Sequence, residues 1–246
     1  MTAFARQFAD MFTLTVRMYR EQTWFLSMVN IAFAFGLVLG FGYLVPDISR
    51  ETALFLTTGA ATQMIVTIGL VGLPQGLSQA KAEGRLDYFF TLPIHREAYL
   101  LAQVTFVALL SLPAVLFALV LGAWNYGFAL EMSPWLLAAV PLAVLSLAGL
   151  GVAMAIVSPH QQLTNALTQL IIFYVLFFAP VLMPREQLPW LLRQAALALP
   201  PTYAADAMRA TVTDLPGTHL FRSLAFMAAF SAASLALASA AARRRG

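Results

Sequence analysis

The sequence has no cysteine and a single lysine, Lys81. Without cysteine there are no disulfides and no thiolate metal sites. With one lysine, in the context Ala-Lys-Ala, there is no Gly-Lys-Ser/Thr stretch, so the chain cannot build a phosphate-binding P-loop of its own. Charge of either sign is scarce: Asp, Glu, Lys and Arg make up 10% of the 246 residues, against roughly 25% in soluble domains. The three histidines, His95, His160 and His219, lie far apart, and no His-Glu-x-x-His or paired-Glu motif supplies clustered metal ligands.

What fills the sequence instead is apolar. Hydrophobic residues reach 61% and the mean hydropathy is +0.79, more than a soluble core can absorb, so the chain reads as an all-α polytopic membrane protein. A net charge of +3 by itself is compatible with nucleic-acid binding, but the arginines are scattered between apolar runs, and membrane topology accounts for them. Six runs approach or exceed the roughly 20 residues that cross a bilayer: 24–45, 53–73, 98–123, 135–157, 163–183 and 221–241. Their charges are confined to the margins, with Arg222 one position into the last. Ion-coupled carriers and proton pumps usually carry an intramembrane carboxylate or histidine, and these runs have none.

Orientation follows from counting basic residues. With a cytoplasmic N-terminus, the inner segments hold Arg6, Arg17, Arg20, Lys81, Arg85, Arg96, Arg243, Arg244 and Arg245, nine bases against five acids. The outer segments hold five bases against six acids. Both termini and the segment 75–97 are then expected on the cytoplasmic side of the inner membrane.

Before the first run, residues 3–22 gather Arg6, Asp10, Thr13, Arg17, Arg20 and Glu21 on one helical arc, with Phe4, Phe8, Met11, Phe12, Val16, Met18 and Tyr19 over the rest. This predicts an interfacial helix lying in the headgroup plane; the alternative is an amphipathic helix packed on a cytoplasmic partner. Segment 75–97 is charge-rich between two apolar runs, and its charges belong in water. A helix is expected over 78–90, weakened at Gly84 by roughly 1 kcal/mol relative to Ala and ended by Leu92-Pro93, since the residue before proline leaves the α region. Tyr88-Phe89-Phe90 is more aromatic than solvent favours and is expected to pack under the N-terminal helix. Segment 184–220 carries two apolar helical stretches broken at Pro200-Pro201, which reads as an outer re-entrant or interfacial pair rather than a solvated loop.

These residues resemble the permease subunit of ATP-binding-cassette exporters of the type 2 family, the group that includes daunorubicin-type drug efflux permeases. The pattern is Glu83-Gly84, Leu86, Leu92-Pro93, Arg96 and Tyr99, then Leu199-Pro200, Tyr203, Asp206 and Arg209, and it covers essentially the whole chain as one transmembrane domain, 1–246. The resemblance implies a coupling helix seated on a separate ATPase subunit, with Glu83, Gly84, Arg85, Asp87 and Arg96 as candidate contacts. It implies that ATP and Mg bind that partner and that this chain carries no cofactor. It also implies a second permease copy, as homodimer or sister chain, with the path lined by the first, second and fifth spans. On those spans stand Asn30, Gln63, Thr67, Asn165 and Gln169, which line the path or hydrogen-bond a neighbouring helix. Phe33, Phe35, Phe173 and Phe177 form an apolar gate or face lipid. Pro200, Tyr203, Asp206 and Arg209 mark the outer re-entrant motif.

The implied function is export of a hydrophobic or amphipathic, drug-like or lipid-like substrate. The partners are the ATPase, a second permease and membrane lipid, and not nucleic acid. An ion-coupled secondary carrier is the alternative, although no internal repeat supports it. A membrane-embedded enzyme is a further one, although Ser158-Pro159-His160 lacks a carboxylate. An assembly factor without transport is the last.

Overall fold

The computed structural model of the chain describes residues 2–44, 48–91, 94–182, 189–213, 215 and 217–243. The expected stop at Leu92-Pro93, residues 183–188 and Arg244-Arg245 lie outside the described residues, as do the side chains of Phe90 and Phe177. The described elements are helical: α1 (Thr2–Leu44), α2 (Arg50–Thr67), a π-helical turn (Ile68–Gly72), α3 (Leu73–Ala82), α4 (Arg85–Thr91), α5 (Arg96–Tyr126), α6 (Leu136–Val157), α7 (Gln161–Phe178), α8 (Trp190–Ala196), α9 (Pro200–Val212) and α10 (Leu220–Arg243). Four runs are long and apolar enough to cross a membrane: Ala3–Leu44, Arg50–Ala82, Arg96–Tyr126 and Leu136–Val157. The chain is a polytopic membrane protein.

Three expectations change. The first is the separate N-terminal helix, since residues 3–22 and the first span form one helix of 43 residues, roughly 65 Å long. The reason is α5, which runs parallel to α1 along its length. The His95 amide donates to Gln7 Oε1 at 3.0 Å, Gln103 donates to Thr15 Oγ1 at 3.3 Å, Tyr19 stacks on Phe106 at 5.6 Å, and Tyr126 donates to the Val38 carbonyl. A face that the sequence assigns to headgroups is thus partly spent on this chain's own helix, and Thr15 is 1% exposed.

Second, the second span does not end near residue 73. It passes through the π turn into α3, so the first part of the charged segment continues the span's helical run. Pro74 accounts for the wide turn. Its ring would clash with the carbonyl four residues back and it has no N–H to donate, and an added residue per turn relieves both; the Leu73 amide reaches back to the Ile68 carbonyl instead.

Third, the helix expected over 78–90 is two helices. Gly84 takes φ +74, a left-handed conformation that glycine adopts without a Cβ penalty, and the chain bends there between α3 and α4. In α4, Phe89 is buried and stacks on Tyr99 at 5.0 Å, while Tyr88 stays 64% exposed. Phe89 therefore packs on α5, and Arg85 of α4 reaches α1, its Nη1 3.5 Å from Met18 Sδ.

The core is centred on α2, where every residue from Met64 to Val66 and from Leu56 to Gln63 is buried. Small residues set the crossings, as in other membrane helix pairs. A Cβ on Gly151 of α6 would meet the Gly69 carbonyl of the π turn at 2.6 Å, and one on Gly122 of α5 would run into the Thr57 side chain. The linker after α5 hydrogen-bonds the end of α9 through Glu131 N to Val212 O at 3.3 Å and Ser133 N to Thr211 O at 2.8 Å.

Candidate functional site

The bend at Gly84 brings charge together. Arg85 Nε donates to Glu83 Oε2 at 2.6 Å, and Gln79 Nε2 donates to the other oxygen, Oε1, at 2.8 Å. The Gln79 hydrogen bond, with the Arg85 guanidinium after it, holds the Glu83 carboxyl below the ordinary carboxylate range against a smaller opposing desolvation. Burial is the largest single effect on Arg85 and alone would lower its affinity for a proton, but the hydrogen bond and charge of Glu83, with Tyr19 beside them, together outweigh it and the net shift is upward. Asp87 is exposed one turn into α4, and Arg96 stands on a different element, at the first residue of α5. The elbow thus unites Glu83, Gly84 and Arg85, with Asp87 beside them.

Behind the elbow, α3 is fastened to α7 and to the turn before it. Gln75 donates to Thr168 Oγ1 at 2.9 Å, the Ser78 and Thr164 hydroxyls share a hydrogen bond of 2.9 Å, and Lys81 Nζ donates to the Ser158 carbonyl. The pairs 75–168, 78–164 and 81–158 run in opposite senses along the two helices, so α3 and α7 are antiparallel. His160 begins α7 by accepting the Leu163 amide on Nδ1 at 3.2 Å, an N-cap. None of these ties was singled out in the sequence. The available signal was the spacing of Gln75, Ser78 and Lys81 at every third position, which places all three near one helical face.

Between α1, the π turn, α3, α5 and α7 lies a cavity of about 630 Å³. Seven amide side chains line it: Gln22 and Asn30 on α1, Gln75 and Gln79 on α3, Gln103 on α5, Gln161 and Asn165 on α7. Arg85 lines it too, and is the one Asp, Glu, Lys or Arg among the described lining residues. Of the five residues proposed for a path, Asn30, Thr67 and Asn165 meet here. Gln63 does not: it is fully buried one turn from Thr67, and both of its amide atoms lack a hydrogen-bond partner among the described residues. Gln169 is exposed on α7 away from the cavity lining. Asn30 donates to the Leu26 carbonyl at 2.8 Å, whereas Thr67 Oγ1 and Asn165 Oδ1 are buried atoms with no partner among the described residues. Phe33 lines the cavity, while Phe35 and Phe173 are exposed, 49% and 57%. The amides at 22, 75, 79, 103 and 161 were not anticipated, because no spacing rule links residues on four separate helices.

Pro200, Tyr203, Asp206 and Arg209, the motif expected on the outer side, form a compact knot. Pro200 opens α9 at a position where a missing N–H costs nothing. Tyr203 stacks on Phe226 of α10 at 3.7 Å and donates to the Leu197 carbonyl at 2.9 Å. Arg209 is 2% exposed: it donates to the carbonyls of Pro180 and Val181 and to Asp206 Oδ1 at 3.3 Å, with its guanidinium 3.5 Å above the Phe55 ring. One side chain thereby joins α2, the end of the α7 segment and α9. Trp190 and Leu191 of α8 are exposed on the isolated chain, 68% and 70%. Among the described residues no group of three His, Asp or Glu side chains is placed to hold a metal ion.

The chain matches the family model described as ABC-2 type transporter over residues 8–213, from α1 through the end of α9. A comparison with curated proteins found no match. Matched over most of its length and built as a bundle of membrane-spanning helices, the chain belongs to the ABC-2 type transporter family and is a permease of that type.

Proposed function

We propose that this chain is the permease subunit of an exporter that moves a hydrophobic or amphipathic molecule, drug-like or lipid-like, across the inner membrane, powered by a separate ATPase that binds ATP and Mg. The observation that carries this reading is the elbow at Gly84. Its outer side offers the ion pair Glu83–Arg85 and exposed Asp87, a polar surface suited to a wet protein partner. Its inner side offers Arg85 and Gln79 to the cavity, and α3 is tied to α7 by side-chain bonds. A push on the elbow would therefore change the distance between cavity walls. Arg96, at the start of α5, takes the contact nearest the membrane.

The basic-residue bias favours a cytoplasmic elbow and cytoplasmic termini. Gln169, Phe173 and Leu170, exposed together on α7, are suited to a second permease copy, either identical or a sister chain. Asn30, Thr67 and Asn165 line the path at its inner end, and Gln63 stands buried one turn from Thr67 on α2.

The reading is tested by isolating the chain with its candidate ATPase and reconstituting both in vesicles. Stable association and cargo-stimulated ATP hydrolysis are the expected results. Vectorial transport driven by a proton or sodium gradient, with no ATPase bound, would defeat it, as would labelling of Lys81 from the outer face of sealed cells.

A further inference from the structure

We infer that the amide-lined cavity selects an uncharged amphiphile with a hydrogen-bond-rich head, such as a neutral glycoside on an apolar body, and discriminates against cationic drugs. The inference rests on the exporter reading and narrows its cargo. The cavity lining is of two kinds. Leu26, Val29 and Phe33 of α1, Leu73 and Leu77 of α3 and Phe106 of α5 are apolar, whereas amide side chains enter from α1, α3, α5 and α7 alike. A molecule that satisfies both kinds of group is itself amphipathic.

The one ionised side chain in the described lining, Arg85, is paired with Glu83. A cationic head leaving water needs a carboxylate, and the described lining residues include none. An anionic head would seek Arg85, but its guanidinium is already held by Glu83 at 2.6 Å. What remains is a dense set of side-chain amides, each with a donor N–H₂ and an acceptor oxygen. Hydroxyl and amide groups on a ligand, which also donate and accept, match this set at many registers. Asn165 lines the cavity from α7, and turning its amide about χ2 would present the buried, unpartnered Oδ1 to a ligand hydroxyl. The volume, about 630 Å³, falls within the roughly 300–1,000 Å³ of sites for drug-sized molecules.

The test uses the full chain in nanodiscs and three probes that share one fluorescent alkyl chain and differ in the head: glucoside, trimethylammonium or sulfate. The glucoside is expected to bind about tenfold or more tighter than the ammonium probe. Asn165→Ala is expected to remove most of that preference without changing the thermal unfolding of the chain. Glu83→Gln, which releases the Arg85 guanidinium, is expected to raise binding of the sulfate probe alone. Equal or tighter binding of the ammonium probe, or no binding of the glucoside, overturns the assignment. A glucoside that binds through Asn165 yet is never moved by ATP with the partner ATPase present leaves the cavity assignment intact and removes the exporter reading instead, so the two fail separately.

Discussion

Gln75 and Thr168 are 93 positions apart in the chain and 2.9 Å apart in space, joined by a side-chain hydrogen bond from α3 to α7. With Ser78–Thr164 and Lys81–Ser158 it makes the back of the charged elbow continuous with a second helix that lines the cavity. Mechanical coupling requires such a connection, because an elbow hinged at Gly84 but loose from α7 could move without changing the cavity.

Cutting that connection should separate hydrolysis from transport. Gln75→Leu combined with Ser78→Ala removes two hydrogen bonds worth about 0.5–1.5 kcal/mol each. The double variant is expected to keep ATP hydrolysis by the partner while transport falls about tenfold or more. Unchanged transport at matched expression would show that force reaches the cavity by another route.

Gly84 should tolerate no ordinary side chain at full efficiency. Its neighbourhood is open, with nothing within 4 Å of an added Cβ, so the penalty of Gly84→Ala lies in the backbone, at φ +74, and is roughly 1–2 kcal/mol. Gly84→Asn, which enters this conformation more readily, is expected to retain more coupling than Gly84→Ala, and Gly84→Pro, fixed near φ −65°, to lose it. Transport per ATP hydrolysed ranks the three, and the reverse order would refute the hinge.

Arg209 should be a stability residue. Arg209→Ala strands the Pro180 and Val181 carbonyls and leaves Asp206 without its guanidinium, so a loss of about 3 kcal/mol is expected. Thermal unfolding of the purified chain in nanodiscs reads it directly. A wild-type melting curve for Arg209→Ala would mean that the knot joining α2, α9 and the residues after α7 is dispensable.

Gln63 should respond in the opposite direction. A fully buried amide without partners carries a desolvation penalty of about 1–3 kcal/mol, which Gln63→Leu removes at similar volume. The variant is expected to be as stable as the parent or more so, and slower in transport if Gln63 serves the path. Marked destabilisation by Gln63→Leu would point to a partner such as bound water.

The elbow should be insensitive to mild acid. Glu83 has its carboxyl lowered in the folded chain by Gln79 and then Arg85, so its contribution to folding is present above the unfolded carboxyl range and is lost only as pH falls through the lower folded value. Between pH 5 and 8 the Glu83–Arg85 pair is therefore expected to stay ionised. Carbon-13 NMR titration of labelled glutamate, with Glu83→Gln as the assignment control, checks this. A Glu83 midpoint above the ordinary range would contradict the pair.

Much of the architecture was legible from local solvation. The scarcity of charge made the chain a membrane protein, and the single lysine in Ala-Lys-Ala ruled out a P-loop. The charges between residues 81 and 87 marked the segment in which the chain bends at Gly84, and Pro200, Tyr203, Asp206 and Arg209 marked the helix α9. These conclusions rest on short stretches of sequence, whose composition alone sets whether water or hydrocarbon suits them.

Tertiary structure alone decided the rest. Whether residues 3–22 lie flat or continue into the first span depends on α5 offering Gln103 and Phe106 to Thr15 and Tyr19, an energy that does not exist until the helices are side by side. The π turn at Ile68–Gly72 follows from Pro74, but its place in a cavity wall follows from where α1 and α7 stand. Above all, seven scattered amides become one polar surface only when four helices converge, because a hydrogen-bonding field is made by groups close in space, and the linear order of the chain carries no record of that distance.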